Sequence, residues 1–357
     1  MPKIVTVVGA RPQFIKAAMV SKELLAHNLQ EIIVHTGQHY DDNMSQIFFR
    51  DLGIPKPKYF LDINGCGHGE MTGRMMIRIE EILSEEKPDM LLVYGDTNST
   101  LAGALVARKL GIKVCHVEGG LRSHDLTIPE EVNRILTDRI SDVVICPTEL
   151  AISNLKKEGF QAFPVKIFLT ADLMADAFFS AAKRPVDLPE SLTDRKFALC
   201  TIHRASNTKP EVLKRVVEGL NAIAAETPIY FPIHPRTLGI LTSEGLKLSD
   251  NIIVSPPIGY FETISLLKSC EFVITDSGGL QREAYLGQKL SILLMSYTPW
   301  EELVHGEYTV LSGCDRESMM ESVHKLVTLR PDWGTSFYGT GSAAKEIVNI
   351  LTAEIGV

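Results

Sequence analysis

The chain has 357 residues, of which 45% are hydrophobic, and a formal net charge of −8. This length and apolar content can bury a sizeable core and suggest two domains. The acidic balance argues against nucleic acid or an anionic membrane as the main partner, so any anionic ligand needs a local site. The stretch 1-MPKIVTVVGARPQF-14 lacks the pattern of a secretory signal, and no apolar run approaches the roughly 18 residues of a membrane span. We therefore expect a cytoplasmic protein.

The first half of the chain alternates short runs of Val, Ile and Leu with longer segments of helical apolar spacing. The runs lie at residues 3–8, 31–36, 89–94, 113–118 and 142–147. The pattern restarts after about residue 170, with runs at 196–202, 228–233, 251–256, 271–276 and 290–295. This alternation predicts an α/β fold of two doubly wound, Rossmann-like domains, 1–168 and 169–357, with the boundary near 165–172. The final helical segment, 342–355, could cap either domain.

Ligands of open parallel sheets bind beyond the carboxyl ends of the strands, so the residues after each strand carry the most weight. In 9-GARPQFIK-16 a tight turn leads into a helix, and Arg11 and Lys16 can face the strand end, although an ordinary turn with solvated bases is the alternative. Asp96 follows the third strand and is either a site carboxylate or only a helix cap. The stretch 118-EGGLRSHDLTIPEEVNR-134 then gathers many charges around one glycine-rich turn.

In the second half, 275-TDSGGLQREA-284 follows a strand and opens a helix. The amides of Ser277, Gly278 and Gly279 meet the positive end of the helix dipole, which predicts an anion site, and Glu283 is placed to accept hydrogen bonds from a ribose. A plain helix start is the alternative. The absence of GxxxxGK[ST] argues against an ATP or GTP hydrolase.

Two further strand ends in this half are rich in histidine and arginine. They offer His203 with Arg204, and His234 with Arg236. A lone histidine is more often structural, but clustered titratable groups indicate acid–base chemistry and phosphate binding. Carboxylates in one domain and a phosphate face in the other suit proton transfer on the sugar of a nucleotide-sugar.

The six cysteines are scattered without CxxC spacing, and several lie inside apolar strand-like runs. This spacing argues against both a metal site and disulfides, so we expect buried, reduced thiols. The sequence shows neither metal-ligand spacing nor a cofactor motif, so the chemistry would depend on side chains and on the diphosphate leaving group of the substrate.

Seven segments together resemble the signature blocks of the non-hydrolysing UDP-N-acetylglucosamine 2-epimerase family, in the family's order and across nearly the whole chain. They are 9-GARPQFIK-16, 94-YGDTNSTLAGALVA-107, 116-HVEGGLRS-123, 129-PEEVNRILTD-138, 201-TIHRASN-207, 233-IHPRT-237 and 275-TDSGGLQREA-284. The resemblance implies a glycosyltransferase-B architecture with a cleft between two Rossmann-like domains, no cofactor and no metal, and a homodimer. It also implies anti elimination of UDP to a 2-acetamidoglucal, followed by return of UDP after reprotonation on the opposite face.

The resemblance also assigns roles to matching positions. The acid–base candidates are Asp96, Glu118, Glu130 and His203, and the candidates for binding UDP or the sugar are Arg11, Lys16, Arg204, His234, Arg236, Ser277, Gly278, Gly279 and Glu283. Glu130 follows Pro129 at a helix start, where the dipole favours the ionised form, whereas Glu118 closes a buried strand, where desolvation would raise its pKa. We interpret this contrast as separating a base from an acid.

Other stretches favour the branch of the family that acts on UDP-2,3-diacetamido-2,3-dideoxy-glucuronate over the branch for plain UDP-N-acetylglucosamine. They are 44-MSQIFFRDLGIPKP-57, 68-HGEMTGRM-75 and 169-LTADLMADAF-178. Ala171 and Asp172 replace the glycine and asparagine typical of the plain epimerases, and Asp172 agrees with the diacetamido branch.

The chain departs from the family at 296-SYTPWEEL-303, which lacks the usual diphosphate arginine. Loss of a bidentate phosphate donor costs about 2–4 kcal/mol of transition-state stabilisation unless Arg204, Arg236 or Arg282 substitutes. The loop 36-TGQHYDD-42 carries an acidic Asp41 and 64-NGCGHGE-70 supplies no arginine, so we expect hyperbolic kinetics without activation by substrate.

Four alternatives stay open on the sequence. Helices in the first half such as 97-TNSTLAGALVARKL-110 could cover the sheet or form a dimer interface. The activity could instead be that of a hydrolysing 2-epimerase, a retaining glycosyltransferase or an inactive UDP-sugar-binding protein. An epimerase would supply precursors for a surface polysaccharide, a role that the resemblance alone implies.

Overall fold

The computed structural model describes residues 1–38, 54–184, 186–193 and 195–356. The chain divides into two compact units, one of Met1–Ala177 with Phe337–Val357 and one of Phe178–Ser336. Each unit is a parallel sheet whose strands alternate with helices, which confirms the predicted α/β class. The domain bounds 1–168 and 169–357 stay a prediction.

The described strands are β1 (Lys3–Val8), β2 (Gln30–His35), β3 (Tyr59–Phe60), β4 (Met90–Tyr94), β5 (Lys113–Val117), β6 (Val143–Cys146), β7 (Lys166–Leu169), β8 (Ala198–Thr201), β9 (Ile229–Pro232), β10 (Ile252–Ser255), β11 (Phe272–Thr275), β12 (Leu290–Leu293) and β13 (Thr309–Leu311). The described helices of more than one turn are α1 (Arg11–Ala26), α2 (His68–Glu86), α3 (Asn98–Lys109), α4 (Pro129–Ile140), α5 (Glu149–Lys157), α6 (Leu173–Ala182), α7 (Pro210–Ala224), α8 (Pro235–Ser243), α9 (Tyr260–Ser269), α10 (Gly278–Leu286), α11 (Glu301–His305), α12 (Arg316–Leu326) and α13 (Ala343–Ile355).

In the N-terminal unit, seven described strands form a parallel sheet in the order β3-β2-β1-β4-β5-β6-β7. Val7 of β1 pairs with Val34 of β2 and Val93 of β4, and all three side chains are fully buried, as expected for strands covered on both faces. Helix α3 packs against α2 and α4, and α13 packs against α1. The segment 97–110 is therefore largely covered within its own unit.

In the C-terminal unit, six described strands form a second parallel sheet in the order β10-β9-β8-β11-β12-β13. Its core joins residues of β8, β9, β11 and β12 to the apolar faces of α7 and α12. The ten strands predicted from the sequence are all present. The strands that the prediction missed, β3, β7 and β13, are two to four residues long and carry partly exposed side chains, so they lack a buried apolar run.

Parallel strands bring their carboxyl ends to one edge of a sheet. In the N-terminal sheet β1, β4 and β5 are neighbours, so the turns that follow them are adjacent. In the C-terminal sheet β9, β8 and β11 are neighbours in the same way. Within each sheet, the strand order thus places the segments selected from the sequence next to one another.

The six cysteines, all of which lie in described residues, are free thiols. Four of them are buried as predicted, but Cys66 and Cys314 lie in loops and are half-buried. Burial raises the pKa of Cys270 to about 12 and that of Cys314 to about 11. Among the described helices, none has the length and apolar character needed to cross a membrane.

Candidate active site

The turn after β1 is fixed by the buried side chain of Gln13. Its Oε1 accepts hydrogen bonds from Gly9 N at 2.8 Å and Ala10 N at 3.1 Å. Its Nε2 lies 2.7 Å from Tyr94 O and 2.9 Å from Thr100 Oγ1. One amide therefore holds the turn after β1 against the turn after β4, a role that was not predicted for Gln13.

Gly9 lies where two strand-end turns meet closely. A Cβ atom there would lie 2.2 Å from both Ser99 Oγ and Thr36 Oγ1, which is far inside contact distance. Only glycine fits this position without displacing its neighbours. Two residues later α1 begins at Arg11, whose side chain lies outside the described part of the chain.

Lys16 and Glu118 form a buried ion pair between Nζ and Oε2. Lys16 is 4% exposed and Glu118 is 8% exposed. Both line a small pocket together with Val117, Ile145, Pro147, Thr170, Ala171, Asp172 and Leu173. The ammonium group favours the ionised carboxylate and so opposes the effect of burial on which the sequence argument relied. The pocket also contains Ala171 and Asp172, the two positions at which the sequence resemblance implies a difference from the plain epimerases.

Glu118 has an unusual backbone conformation for a residue with a side chain. Its φ is +70°, in the left-handed region, and its amide donates to Ile145 O at 3.0 Å. A non-glycine residue held there costs on the order of 1–3 kcal/mol, which the surrounding contacts must offset. The charged turn therefore holds Glu118 in a fixed conformation, and its backbone is strained there.

Asp96 is paired with Arg134 from α4 rather than serving as a helix cap. Its Oδ2 accepts from Arg134 Nη2 at 2.5 Å, and Thr97 caps α3 by accepting from Thr100 N. The Asp96 side chain is 31% exposed. Asp96 is therefore not the cap of α3, and its alternative role as a site carboxylate stays a prediction.

Glu131, which the sequence analysis did not select, is the buried glutamate of α4. Its carboxylate accepts from the amides of Ser123 and His124, both at 3.0 Å, and from Arg134 Nη1 at 3.0 Å. Burial tends to raise the pKa of Glu131, but these amides and the guanidinium outweigh it and hold that pKa below its usual value. Glu130, the predicted acid–base residue, is exposed in the first turn of α4.

A second, largely buried network adjoins this turn, and no role was predicted for its residues. It joins His116 of β5 to Asp138 of α4, and Asp138 to Arg122, which makes a two-fold ion pair with Glu158. Burial tends to raise the pKa of Asp138, but His116 and Arg122 outweigh it and hold that pKa below its usual value. Residues 131, 134 and 138 follow helical spacing on one face of α4, which is the signal that could have found them.

In the C-terminal unit the buried carboxylate of Asp276 organises the turn after β8. Asp276 is fully buried and accepts from His203 N at 3.1 Å, Arg204 N at 2.9 Å and Asn207 Nδ2 at 3.3 Å. The ring nitrogen Nδ1 of His203 lies 3.2 Å from Asp276 Oδ1, and its side chain is 49% exposed. A carboxylate that orients an accessible imidazole is a common arrangement for proton transfer.

The predicted basic residues lie around the same strand ends. Arg204 Nε donates to Asp276 O at 2.8 Å, and Arg236 Nη2 donates to His203 O. His234 caps α8, where its Nδ1 accepts from Arg236 N at 3.2 Å. The structure thus brings together His203, Arg204, His234 and Arg236 as the sequence suggested.

Helix α10 begins at the predicted anion site. Ser277 is its N-cap, with Oγ accepting from Leu280 N at 3.3 Å, and Gly278 and Gly279 form its first turn. A Cβ on Gly278 would lie 3.4 Å from Trp300 Nε1, so the indole approaches this turn closely. Glu283 follows in the second turn and is buried.

Arg282 packs on Trp300, within the segment 296–303 in which the resemblance implies an arginine that the sequence lacks. Its guanidinium carbon lies 3.9 Å from the ring centre of Trp300, and its Nε donates to Gly278 O at 3.3 Å. The side chain therefore folds back toward the first turn of α10. Of the other two proposed substitutes, Arg204 lies in the turn after β8, and Arg236 lies in the first turn of α8 and donates to His203 O of that turn.

Asp41, which led us to expect no activation by substrate, and much of the segment 44–57 lie outside the described residues. Within the described ranges, three or more histidine, cysteine or carboxylate side chains do not gather in a way that could hold a metal ion.

Comparison with known proteins agrees with this geometry. The family model described as UDP-N-acetylglucosamine 2-epimerase matches residues 22–352. The UDP-2,3-diacetamido-2,3-dideoxy-D-glucuronate 2-epimerase of Pseudomonas aeruginosa is 48% identical over 354 residues, which are 98% of this chain and 99% of that protein. The fold matches Methanocaldococcus jannaschii UDP-GlcNAc 2-epimerase in complex with UDP-GlcNAc and UDP, with a TM-score of 0.90, 40% identity and coverage of 98% and 99% of the two chains.

A UDP co-structure of an S. aureus protein gives a TM-score of 0.90 at 30% identity, covering 99% of this chain and 97% of the other. The family resemblance deduced from seven sequence segments is confirmed by matches that span almost the whole chain. The chain therefore belongs to the UDP-N-acetylglucosamine 2-epimerase family, whose enzymes are isomerases of UDP-sugars.

Proposed function

We propose that the protein is a non-hydrolysing 2-epimerase of a UDP-2-acetamido sugar, with UDP-2,3-diacetamido-2,3-dideoxy-glucuronate as the favoured substrate and UDP-N-acetylglucosamine as the alternative. The observation that carries the choice is the 48% identity to the P. aeruginosa enzyme named for the diacetamido sugar, against 40% for the UDP-N-acetylglucosamine 2-epimerase of M. jannaschii. The product would be the manno epimer, a precursor for surface polysaccharide.

The chemistry must break a C2–H bond that no neighbouring carbonyl activates. A base takes the C2 proton, the bonding pair forms the C1=C2 double bond, and the C1–O bond breaks so that UDP leaves with its electron pair. In the return step UDP adds to C1 and a proton is delivered to the other face of C2. The reaction therefore needs a proton acceptor, a proton donor and a firm hold on UDP.

The proton-transfer groups of the proposal come from the N-terminal unit and from His203. Glu118 is buried with Lys16, and Asp96 is held by Arg134, so both carboxylates have a defined direction and a cationic neighbour. Glu130 remains in the acid–base set as an accessible carboxylate at the start of α4. His203 joins it because Asp276 orients its half-exposed ring.

Binding of UDP is assigned to the C-terminal unit. The amides at the start of α10 and the cap Ser277 suit a diphosphate, and Glu283 suits a ribose. Arg282, stacked on Trp300, is proposed to supply the charge of the family's missing arginine. The basic side chains Arg204 and Arg236 add donors at the turn after β8.

Proton NMR in heavy water tests the proposal. The purified protein is incubated with each UDP-sugar in separate samples, and the C2 and anomeric protons of substrate and product are followed. Loss of the C2 signal with appearance of a manno UDP-sugar is expected, and the faster of the two substrates identifies the branch.

Three outcomes contradict this function. Release of free N-acetylmannosamine indicates a hydrolysing 2-epimerase. UDP release that needs an added acceptor indicates a glycosyltransferase. Binding of UDP-sugar with no exchange at C2 indicates an inactive sugar-nucleotide-binding protein.

A further inference from the structure

One buried carboxylate, Asp138 of α4, holds the turn that carries Glu118. Its Oδ2 accepts from Gly120 N at 3.0 Å and from Arg122 Nη1 at 2.8 Å. The residue is fully buried, and a Cβ on Gly119 would lie 2.5 Å from Asp138 Oδ1, so turn and carboxylate are in tight contact. A shift of Asp138 would therefore displace residues 119 and 120, which directly follow Glu118.

The other oxygen of Asp138 connects to the turn that carries Asp96. His116 Nδ1 lies 2.7 Å from Asp138 Oδ1, and His116 Nε2 lies 2.7 Å from Gly95 O. A carboxylate and a carbonyl accept hydrogen bonds, so this arrangement suits a His116 ring that donates from both nitrogens. His116 and Arg122 thus face the buried carboxylate of Asp138, and Arg122 also faces the exposed carboxylate of Glu158.

We propose that Asp138 is a positioning residue, which fixes Glu118 through Gly120 and Arg122, and Asp96 through His116 and Gly95. This role rests on the proposed function, because Asp138 would act only through Glu118 and Asp96, the proposed catalytic carboxylates. The left-handed backbone of Glu118 supports it, since such a conformation persists only where the surrounding structure over-determines it. The side chain of Asp96 is held independently by Arg134, on the same face of α4.

Asp138→Asn is the most informative variant because the two amide ends differ. The amide oxygen would face the two donors Gly120 N and Arg122, which leaves the amide nitrogen against His116. That nitrogen only donates, so His116 Nδ1 would have to accept and the ring would become the neutral Nε2–H tautomer. A purely space-filling role would not produce this switch.

Asp142→Asn is the matched control. Asp142 also accepts from a backbone amide and an arginine, Val114 N at 2.9 Å and Arg108 at 2.6 Å, but at the amino end of β5. Both variants lose one carboxylate charge beside the same strand. Only Asp138 touches the turns at the carboxyl ends of the strands.

The experiment combines three measurements on the full chain. NMR of protein labelled with 15N-histidine should show two ring N–H signals for His116 in the wild type and in Asp142→Asn, and only the Nε2–H signal in Asp138→Asn. The kcat for C2 epimerisation should fall about 10–100-fold in Asp138→Asn, with KM and UDP affinity little changed, because misplaced catalytic groups slow the reaction without loosening the nucleotide. Thermal unfolding checks that each variant is folded.

Several results would overturn the proposal. They are a single ring N–H on wild-type His116, equal losses of kcat in the two variants, or full kcat in folded Asp138→Asn. If Asp138→Asn does not fold, His116→Asn, whose shorter amide can donate to Asp138 from the Nδ1 position but cannot reach Gly95 O, must still lower kcat. A wild type that binds UDP but exchanges no C2 proton would refute the proposed function and, with it, this role, whereas the His116 signals separate that failure from an error in the geometry.

Discussion

Glu118 is the candidate residue whose burial, backbone conformation and ion pair are all defined by the structure. It is buried, left-handed and paired with Lys16, while Glu130, given an equal role by the resemblance, is exposed in the first turn of α4. The resemblance predicted both glutamates, Glu118 at the end of a strand and Glu130 at the start of a helix. The ammonium partner could not be predicted, because it comes from a helix about a hundred residues earlier in the chain.

Glu118→Gln is expected to slow C2 proton exchange by about 10²–10⁴-fold, the usual contribution of a positioned acid or base, while UDP affinity changes little. Glu130→Gln should change the ratio of the rate of C2 proton exchange to the rate of glucal formation by a different factor than Glu118→Gln does. Both rates are measured by NMR in heavy water. Glu211→Gln, at an exposed first-turn position of α7, is the control. Identical losses in both rates for Glu118→Gln and Glu130→Gln would contradict separate roles.

His35 at the end of β2 should make stability depend on pH. Burial lowers its pKa to about 4 from the model-peptide value of 6.5, and its Nδ1 accepts from Gly37 N at 3.0 Å. The unfolded chain therefore binds a proton that the folded chain resists, so stability present above pH 6.5 is lost as the pH falls toward 4. The loss is about 3 kcal/mol at most.

Unfolding in urea between pH 7 and pH 4.5 measures this effect. The variant His35→Gln cannot titrate, so its stability should fall less over that range. His27→Gln, an exposed histidine at the end of α1, should keep the wild-type slope. Parallel curves for wild type and His35→Gln would contradict the assignment.

At the scale of elements, the strands were predicted better than the contacts between helices and turns. Buried parallel strands appear as continuous apolar runs, which explains why all ten predicted strands are present. No role was predicted for residues 131, 134 and 138 of helix α4, yet their side chains hold the two loops that follow β4 and β5. Those bonds join residues up to 38 positions apart, and local spacing does not reveal such partners.

Helix α13 is held at its start by Asp176 of α6. The Asp176 carboxylate accepts from Ala343 N at 3.0 Å and Ala344 N at 2.8 Å. Asp176→Ala would leave two amides at the start of this helix without their acceptor, and we expect a loss of about 1–3 kcal/mol in the free energy of unfolding. Urea unfolding measures it. Asp187→Ala, at an exposed position, should be neutral, and equal stabilities of the two variants would refute the capping role.

For the whole molecule, two Rossmann-like units could be predicted because the strand–helix alternation repeats along the chain. The candidate site was found in part, since parallel topology brings strand ends together whatever the helices do. The carboxylates Asp138 and Asp276 lay inside quoted segments but received no role. Each acts by accepting hydrogen bonds from distant turns, a property that only the folded chain displays.

Kinetics of the whole enzyme should be hyperbolic in UDP-sugar concentration. The stretch 64-NGCGHGE-70 offers no arginine for a second substrate molecule, and Asp41 adds a negative charge. Initial rates over a wide concentration range test this expectation. A sigmoidal curve that trace UDP-N-acetylglucosamine makes hyperbolic would show that substrate activation operates after all.

The chain order of the units affects how the protein is made. All seven described strands of the first sheet are complete by Leu169, yet α13, which packs against α1, follows the entire unit Phe178–Ser336. A growing chain must therefore expose the surface of α1 that α13 covers while about 170 further residues are synthesised. The N-terminal unit is therefore incomplete until α13 has been synthesised, so a chain that lacks α13 would leave an apolar surface open on the unit translated first.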